Sequence, residues 1–304
     1  MNKKIFSLTC AVTCSFIWGT AFVAQDMGMD HIGPFTFTSG RLFLGFLTLL
    51  PFLFLYKEEL KKITIKKNPK VFYYLILVGF MLSFGNSFQQ IALLFTDVAN
   101  TAVFTVFYVI LVPMVAYYFF SKDIHWSVWP SALFCLIGGF LLTNLENVSV
   151  RVGDGVAVVN ALMWAFHIVF ISKLIKIYNY PIIVACLQCL IGALFAFIPA
   201  LIFENVVFSN MLLEAKELLY AGVLSSGLAF LLQVYSQQYL SPAPVAIVFS
   251  LEGVFASIFG WIILDQFLTE IKIIGIIIIL SSVIFSQLVP IYGKKIWMSQ
   301  KKGL

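Results

Sequence analysis

Charge is scarce in this chain. Asp, Glu, Lys and Arg make up 11% of its 304 residues, against about 25% in a soluble domain. Hydrophobic residues make up 61%, and the mean hydropathy is +1.00. A soluble globule is excluded, and lipid is the solvent for most of the chain. Cysteine is nearly as rare. Cys10, Cys14, Cys135, Cys186 and Cys189 all fall inside apolar runs and none lies in a loop, which argues against disulfides. Cys186 and Cys189 form a C-x-x-C, but no βαβ context or second ligand pair accompanies them, so they read as packing residues. No Walker lysine motif, HExxH, GxSxG or kinase-type loop occurs, so drive by ATP is unsupported and no cofactor is expected. The net charge of +5 comes from Lys in short loops and tails. No basic face or RNA-type aromatic motif is present, so no nucleic-acid partner is expected. Long loops are missing too. The longest connection is 57–70, which leaves no room for a separate soluble domain.

What remains is a succession of apolar runs, 32 Phe among them. Ten runs are long enough to cross about 30 Å of hydrocarbon at 1.5 Å per residue. They lie at 5–25, 33–55, 71–94, 98–120, 127–145, 155–175, 181–203, 216–239, 243–264 and 271–291. Their apolar character is continuous rather than alternating, so the spans are helices and not barrel strands. The first run follows Lys3 and Lys4 in the manner of a signal peptide. Its length, and the absence of a small-x-small cleavage site, read as a retained span.

Lys and Arg partition sharply across these spans. With the N-terminus in the cytoplasm, 15 of the 19 fall on the cytoplasmic side and only Arg151, Lys216 and Lys272 outside, with Arg41 inside span 2. This is a positive-inside pattern, and it places both termini in the cytoplasm. Acidic residues gather on the other face, among them Asp26, Asp154, Glu204, Glu214 and Asp265. Losing or inventing one span would collapse the separation. Asn147-Val-Ser149 is a sequon on the outer face, too close to the membrane to read as more than chance.

The second half of the chain repeats the first. Gln89, Ala99 and Ala102 correspond to Gln233, Ala243 and Ala246 at a constant spacing of 144, and Trp18 pairs with Trp164 at 146. Each half holds five spans. Five is odd, so the second half enters the membrane from the opposite side. The expected architecture is an all-α integral membrane protein of ten transmembrane helices in two inverted five-helix repeats, 1–145 and 146–304. Inverted repeats of this kind place a solute site between the halves.

Polar groups inside hydrocarbon are costly and mark cavities or helix contacts. Span 3 carries Asn86, Gln89 and Gln90. Span 6 carries Asn160, Trp164 and His167 on one helical face. Gln188 lies near the middle of span 7, Gln233 and Gln237 are one turn apart in span 8, and Glu252 lies in span 9. Amides donate and accept, which suits polar or zwitterionic solutes. The expected substrate-binding set is Gln89, Tyr108, Trp164, His167, Gln188, Gln233 and Gln237, sharing one cavity. Trp18 and Phe104 are candidates for further aromatic walls. Glu252 and His167, the titratable groups in this set, are the proton-coupling candidates. Arg41 is expected to snorkel towards the outer face. Its sharper alternative is to hold a solute carboxylate. Pro113, Pro242 and Pro244 suggest bent or broken helices in the matching spans 4 and 9.

Several of these stretches resemble the EamA-type permeases of the drug/metabolite transporter superfamily. They include Trp18-Gly19, Pro34 through Arg41, Gln89 through Ala102 into Leu111-Val112-Pro113, Gly153-Asp154, Ala165-Phe166-His167, and Gln233 through Gln237 into Ser241-Pro242-Ala243. Leu251-Glu252-Gly253-Val254-Phe255-Ala256 is similar to the family's Leu-Glu-Pro-Val-Phe-Ala pattern, with Gly253 in place of Pro. Asp265 stands where many members have Glu. The resemblance implies two EamA repeats, a central cavity and alternating access for a small metabolite.

The expectation is a multi-pass secondary transporter of the cell inner membrane, exporting a small polar organic solute such as an amino acid or nucleobase. It is expected not to be an enzyme. A bacterial membrane is favoured because no targeting extension precedes the first span. Its partners would be a small-molecule solute and the lipid bilayer, with a homodimer left open. A lipid-substrate carrier or enzyme, or a non-transport regulatory subunit, is the alternative.

Overall fold

The computed structural model describes residues 3–64, 66–96, 98–120, 124–142, 151–264 and 267–302, with side chains at all of these except 98–100, 263–264 and 291–302. Lys122, Glu146, the sequon at 147–149 and Asp265 lie outside the described residues, as does the expected boundary at 145/146. So do the side chains of Ala99 and of the C-terminal lysines.

Among the described residues ten apolar helices follow one another, with a short further helix, Phe208–Leu213, before the eighth. They are α1 (Lys3–Met27), α2 (Pro34–Leu60), α3 (Pro69–Phe95), α4 (Thr101–Phe120), α5 (Val128–Leu141), α6 (Val152–Ile177), α7 (Pro181–Phe203), α8 (Ala215–Gln237), α9 (Pro242–Ile262) and α10 (Glu270–Pro290). Nine are long and apolar enough to cross a bilayer, and α5 is a shorter apolar helix. Four of them (α2, α3, α7 and α9) begin on a proline, whose fixed φ suits a first helical position and whose missing N–H is not needed there. Two differences from the expected spans stand out. Helix continues through Lys57–Leu60, inside the expected loop. It also runs on from α10 to Lys302, through the expected basic tail, whose Ile, Lys, Met and Gln are good or fair helix formers.

The helix ends sort onto two faces. On one, Glu204 at the end of α7 accepts from the Phe35 and Thr36 N–H groups (both 2.7 Å) and the Thr36 hydroxyl, capping α2 from another helix. Asp154 caps its own helix α6 through the Arg151 N–H and accepts from Thr96 at the end of α3. His31, just before α2, bonds Glu214 at the start of α8. On the opposite face, Tyr178 after α6 donates to the Glu59 carbonyl at the end of α2, and Lys3 of α1 lies over the Tyr239 ring after α8. Helix α1 therefore starts on the face where α6 ends, and the two repeats run in opposite directions. Exchanging each helix with the one five later maps the packing onto itself. The pair α2–α8 becomes α7–α3, α1–α8 becomes α6–α3, and α1–α9 becomes α6–α4, while α2–α7, α4–α9 and α5–α10 map onto themselves.

Without water to drive them together, helices in lipid need close backbone approach, which small residues permit. At Gly45 of α2, an added Cβ would lie 2.8 Å from the Ser226 Cβ of α8. Its repeat mate, 147 positions on, is Gly192 of α7, where a Cβ would meet Leu42 and the Gly79 carbonyl at 3.1 and 3.3 Å. Large apolar side chains instead line the outside of the bundle, for example Leu55, Tyr118 and Phe203. Gly45→Ala should therefore destabilise the protein by about 1–3 kcal/mol through overpacking. Gly139→Ala, where a Cβ meets nothing within 4 Å, should leave stability unchanged or raise it, since Ala is the better helix former. Thermal unfolding in detergent reads both, and equal midpoints for the two variants would refute the close approach.

Candidate functional site

Helices α4 and α9 are both broken near their middles. Helical structure stops at Thr105, tightens through Val106 and Phe107, and resumes at Tyr108. In α9 it stops at Phe249 and resumes at Leu251. The breaks at Val106 and Ser250 are 144 residues apart, the spacing of the repeat. Each break presents one polar side chain soon after it. The Tyr108 hydroxyl donates to Glu252 Oε1 at 3.0 Å. These residues are also 144 apart, so each touches its own repeat mate. Trp18 and Trp164 do likewise, with ring centroids 5.7 Å apart. Contacts between repeat mates mark the pseudo-two-fold axis.

A cavity lies along this axis. It is lined by the polar side chains Gln25, Arg41, Asn86, Gln89, Thr105 and Ser225, by the aromatic side chains Trp18, Phe22, Trp164 and Phe230, and by Tyr108 and Glu252. It offers about 30 Å³ to water-sized occupants, enough for about two or three waters. Gln25 is the hub. Its Oε1 accepts from Arg41 Nη1 (2.7 Å) and Gln89 Nε2 (3.2 Å), and its carbonyl accepts from Gln90. The indole N–H groups are tied down symmetrically. That of Trp18 donates to the Ser225 carbonyl of α8, and that of Trp164 to Gln89 Oε1 of α3.

Arg41 does not snorkel. It is 2% exposed, and its guanidinium also donates to Ser225 Oγ (2.8 Å) and Ser226 Oγ (3.0 Å). Both serines belong to a π-helical stretch in α8, Tyr220–Leu228, a local widening common at functional positions. Gln25, Ser225 and Ser226 were not singled out by sequence reasoning. Gln25 sits at the last position of the expected first span and reads as its boundary. Serine is a routine interhelical residue, and no residue pattern announces the π stretch.

Of the expected site residues, Gln89, Tyr108, Trp164 and Glu252 stand at the cavity. His167, Gln188, Gln233 and Gln237 do not, and all four are fully buried in a second cluster. Phe104 is elsewhere, packed on Phe107 and Phe140. In the second cluster His167 Nε2 lies 3.0 Å from Gln188 Oε1, and Gln233 Nε2 lies 3.4 Å from His167 Nδ1. One assignment serves both contacts, with Nε2–H donating to Gln188 and Nδ1 accepting from Gln233 on a neutral ring. Gln237 donates to the Ile168 carbonyl. Gln188 Nε2, Gln233 Oε1 and Gln237 Oε1 have no partner among the described residues.

The two clusters are built alike, although their bridging residues are not repeat mates, since Gln25 corresponds to Ile171 at the spacing of Trp18 and Trp164. In the first repeat Gln25 of α1 bridges Arg41 of α2 and Gln89 of α3. In the second His167 of α6 bridges Gln188 of α7 and Gln233 of α8. Gln89 and Gln233 are repeat mates, and so are Arg41 and Gln188, at 147.

A polar cavity on the axis between two inverted five-helix repeats is the arrangement of a membrane transporter. The EamA-like transporter family matches residues 5–144 and again residues 151–288, and the chain belongs to that family. Relatives agree over nearly the whole length. An uncharacterised transporter of Archaeoglobus fulgidus is 26% identical over 286 residues, 94% of this chain and 87% of that protein. The uncharacterised transporter YoaV of Bacillus subtilis is 28% identical over 279 residues, 88% of this chain and 92% of that protein. A crystal structure at 14% identity superposes with a TM-score of 0.77, covering 93% of this chain and 96% of that one, and shares the fold.

The second cluster gives a direct test of its hydrogen bonding. Combining Gln188→Leu with His167→Phe should give a coupling of about 0.6–1.7 kcal/mol, the range for interhelical bonds in membranes. The measurement is unfolding in detergent across the double-mutant cycle. Strict additivity would show that the two side chains do not bond.

Proposed function

We propose that the protein is a secondary transporter that exports a small polar organic metabolite, such as an amino acid or nucleobase, across the cell inner membrane. The observation that carries this reading is the small polar cavity on the axis that exchanges the repeats. A solute there touches both halves at once, so their relative rocking can expose it to either face without rebuilding its site. The cavity as it stands is too small for a metabolite and must widen as one enters. Gln89, Tyr108 and Trp164 would receive the solute in this arrangement. His167, Gln188, Gln233 and Gln237 would receive it when the other repeat's cluster opens, which would give their three unpartnered amide atoms a ligand or water. We place the repeats at 1–145 and 146–304 and both termini in the cytoplasm. The partition of lysines supports this orientation, and the acidic helix caps of the opposite face then lie outside.

Glu252 is our choice for the proton-coupling group, with His167 second. Its carboxyl sits on the axis, bonded to Tyr108 of the other repeat. Loss or gain of one proton there changes a contact between the halves, which is where a gradient must act to bias their motion. Charged and titratable groups near it are Tyr108 on α4 and Cys14 on α1, with Cys135 of α5 beside Tyr108 and Arg41 of α2 lining the same cavity.

Counterflow in liposomes tests both parts. Purified protein, preloaded with unlabelled amino acids or nucleobases, should accumulate labelled members of the same pool. Glu252→Gln should retain this exchange and lose about tenfold or more of the accumulation driven by an imposed pH gradient, a change of 1.4 kcal/mol in driving force. Gradient-driven accumulation unchanged in Glu252→Gln would remove the coupling role. No exchange from any pool would count against transport of such solutes.

A further inference from the structure

We infer that Arg41 is the anchor for a carboxylate on the solute. This narrows the solute class to small organic monocarboxylates, amino acids among them, and leaves out nucleobases and neutral sugars. It rests on the transport reading above.

A guanidinium offers five N–H donors and no acceptor. In Arg41 three are engaged, by Gln25 Oε1, Ser225 Oγ and Ser226 Oγ. All three partners are neutral. None of the ion pairs among the described residues involves Arg41. Glu252, the carboxyl group that shares the cavity, is bonded to Tyr108 instead. Each guanidinium nitrogen of Arg41 has one acceptor, so each terminal nitrogen has a second N–H to offer, and Arg41 lines the cavity. Two N–H groups from two nitrogens are what a carboxylate takes in a bidentate pair. The three existing bonds also fix the plane of the guanidinium, so little freedom is lost when a ligand docks.

The repeat supplies an internal control. The mate of Arg41 is Gln188, and the mates of Ser225 and Ser226, at 144, are Met81 and Leu82. The second repeat builds a comparable bridge between its first three helices, through His167, from neutral groups alone. The fold therefore does not require a cation at this position, and an unpaired charge in hydrocarbon is expensive. Its placement at the cavity is explained by a ligand that neutralises it.

The cavity also argues against phosphate. Among the described residues it holds a single guanidinium, no lysine lines it, and Glu252 is part of the same lining. A doubly charged phosphate would be left half neutralised beside a carboxyl group. A single carboxylate matches Arg41 one to one, and Trp18, Trp164 and Phe230 offer an apolar wall to the rest of the molecule.

The test compares each carboxylate with its own amide on the wild-type protein. In counterflow, labelled phenylalanine and 3-phenylpropionate would be run against phenylalaninamide and 3-phenylpropionamide, beside nucleobase and sugar pools. The same compounds would be scored for thermal stabilisation of the purified protein. Exchange or stabilisation confined to carboxylates is expected. Arg41→Gln should weaken it on the order of 30-fold or more, as for loss of one partner in a buried hydrogen-bonded charge pair, and Arg41→Lys should recover part of it. Phenylalanine alone would assign the amino acids, and 3-phenylpropionate as well would assign simple acids. Amides, nucleobases or sugars handled as well as carboxylates would overturn the inference and leave transport standing. Carboxylate-selective stabilisation without exchange would keep Arg41 as an anion site and overturn transport. No selectivity in either assay would overturn the anchor, whether or not Arg41→Gln folds.

Discussion

Tyr108 and Glu252 are separated by the spacing that superimposes the two repeats, and they are hydrogen-bonded to each other. A residue that touches its own repeat mate has to lie on the axis relating the repeats. That one contact therefore places the axis, and the axis organises much of the bundle. It runs past the facing rings of Trp18 and Trp164, through the crossings of α2 with α7 and α5 with α10, and between the broken helices α4 and α9. The breaks belong to the same geometry. A continuous α4 would have no irregular turn at Val106 and Phe107 from which to aim Tyr108, and Ser250 serves Glu252 in the same way.

Hydrocarbon supplies no hydrogen bonds, so each polar side chain on these helices must find its partner within the protein. The repeats meet this demand in parallel ways. Each links its first three helices through one bridging side chain, Gln25 in the first and His167 in the second. Where they diverge, they diverge in charge. Arg41 makes the first cluster cationic and brings the two serines of α8 to it, while Gln188 keeps the second neutral. A transporter built from two identical halves would bind its solute equally well in both orientations of its cycle. Replacing one amide by a guanidinium breaks that equality, and a difference in affinity between two states is what lets a ligand shift the balance between them. The acidic residues follow a similar division of labour. Glu204 and Asp154 serve as helix caps on one face, and lysines crowd the other.

Much of this is legible in the chain. Hydropathy alone locates the nine spanning helices and the shorter apolar helix α5 found among the described residues, because a run of about 20 apolar residues has few other uses. The spacing of 144 between Gln89 and Gln233 reveals the repeat, and the same spacing links Tyr108 to Glu252, a pairing that a systematic comparison of the halves would have found. Helix rotation is what escapes. Depth in the membrane follows from counting residues, but which way a side chain points depends on how the helix is turned about its axis. Arg41 could be placed a turn or two inside α2, and only the packed helices show it facing inward. The same ambiguity merged the polar residues into one cavity. Gln188 and Gln233 sit at matching depth from the opposite face, so counting alone could not separate them from Gln89.

The divided cluster bears on how such a protein could move. In the present arrangement the cationic cluster adjoins the cavity and the neutral one is sealed, with three amide atoms unpartnered among the described residues. Burying an amide atom without a partner costs free energy, and opening the second cluster would offer these atoms water or a ligand. Opening it would in turn move Trp164, whose indole bridges the clusters by packing on His167 (ring centroids 5.3 Å) while donating to Gln89. The two clusters are thus mechanically joined through one side chain next to the axis. Under the proposed anchoring, a solute at Arg41 would meet that same indole wall, where a small displacement would be shared between the halves.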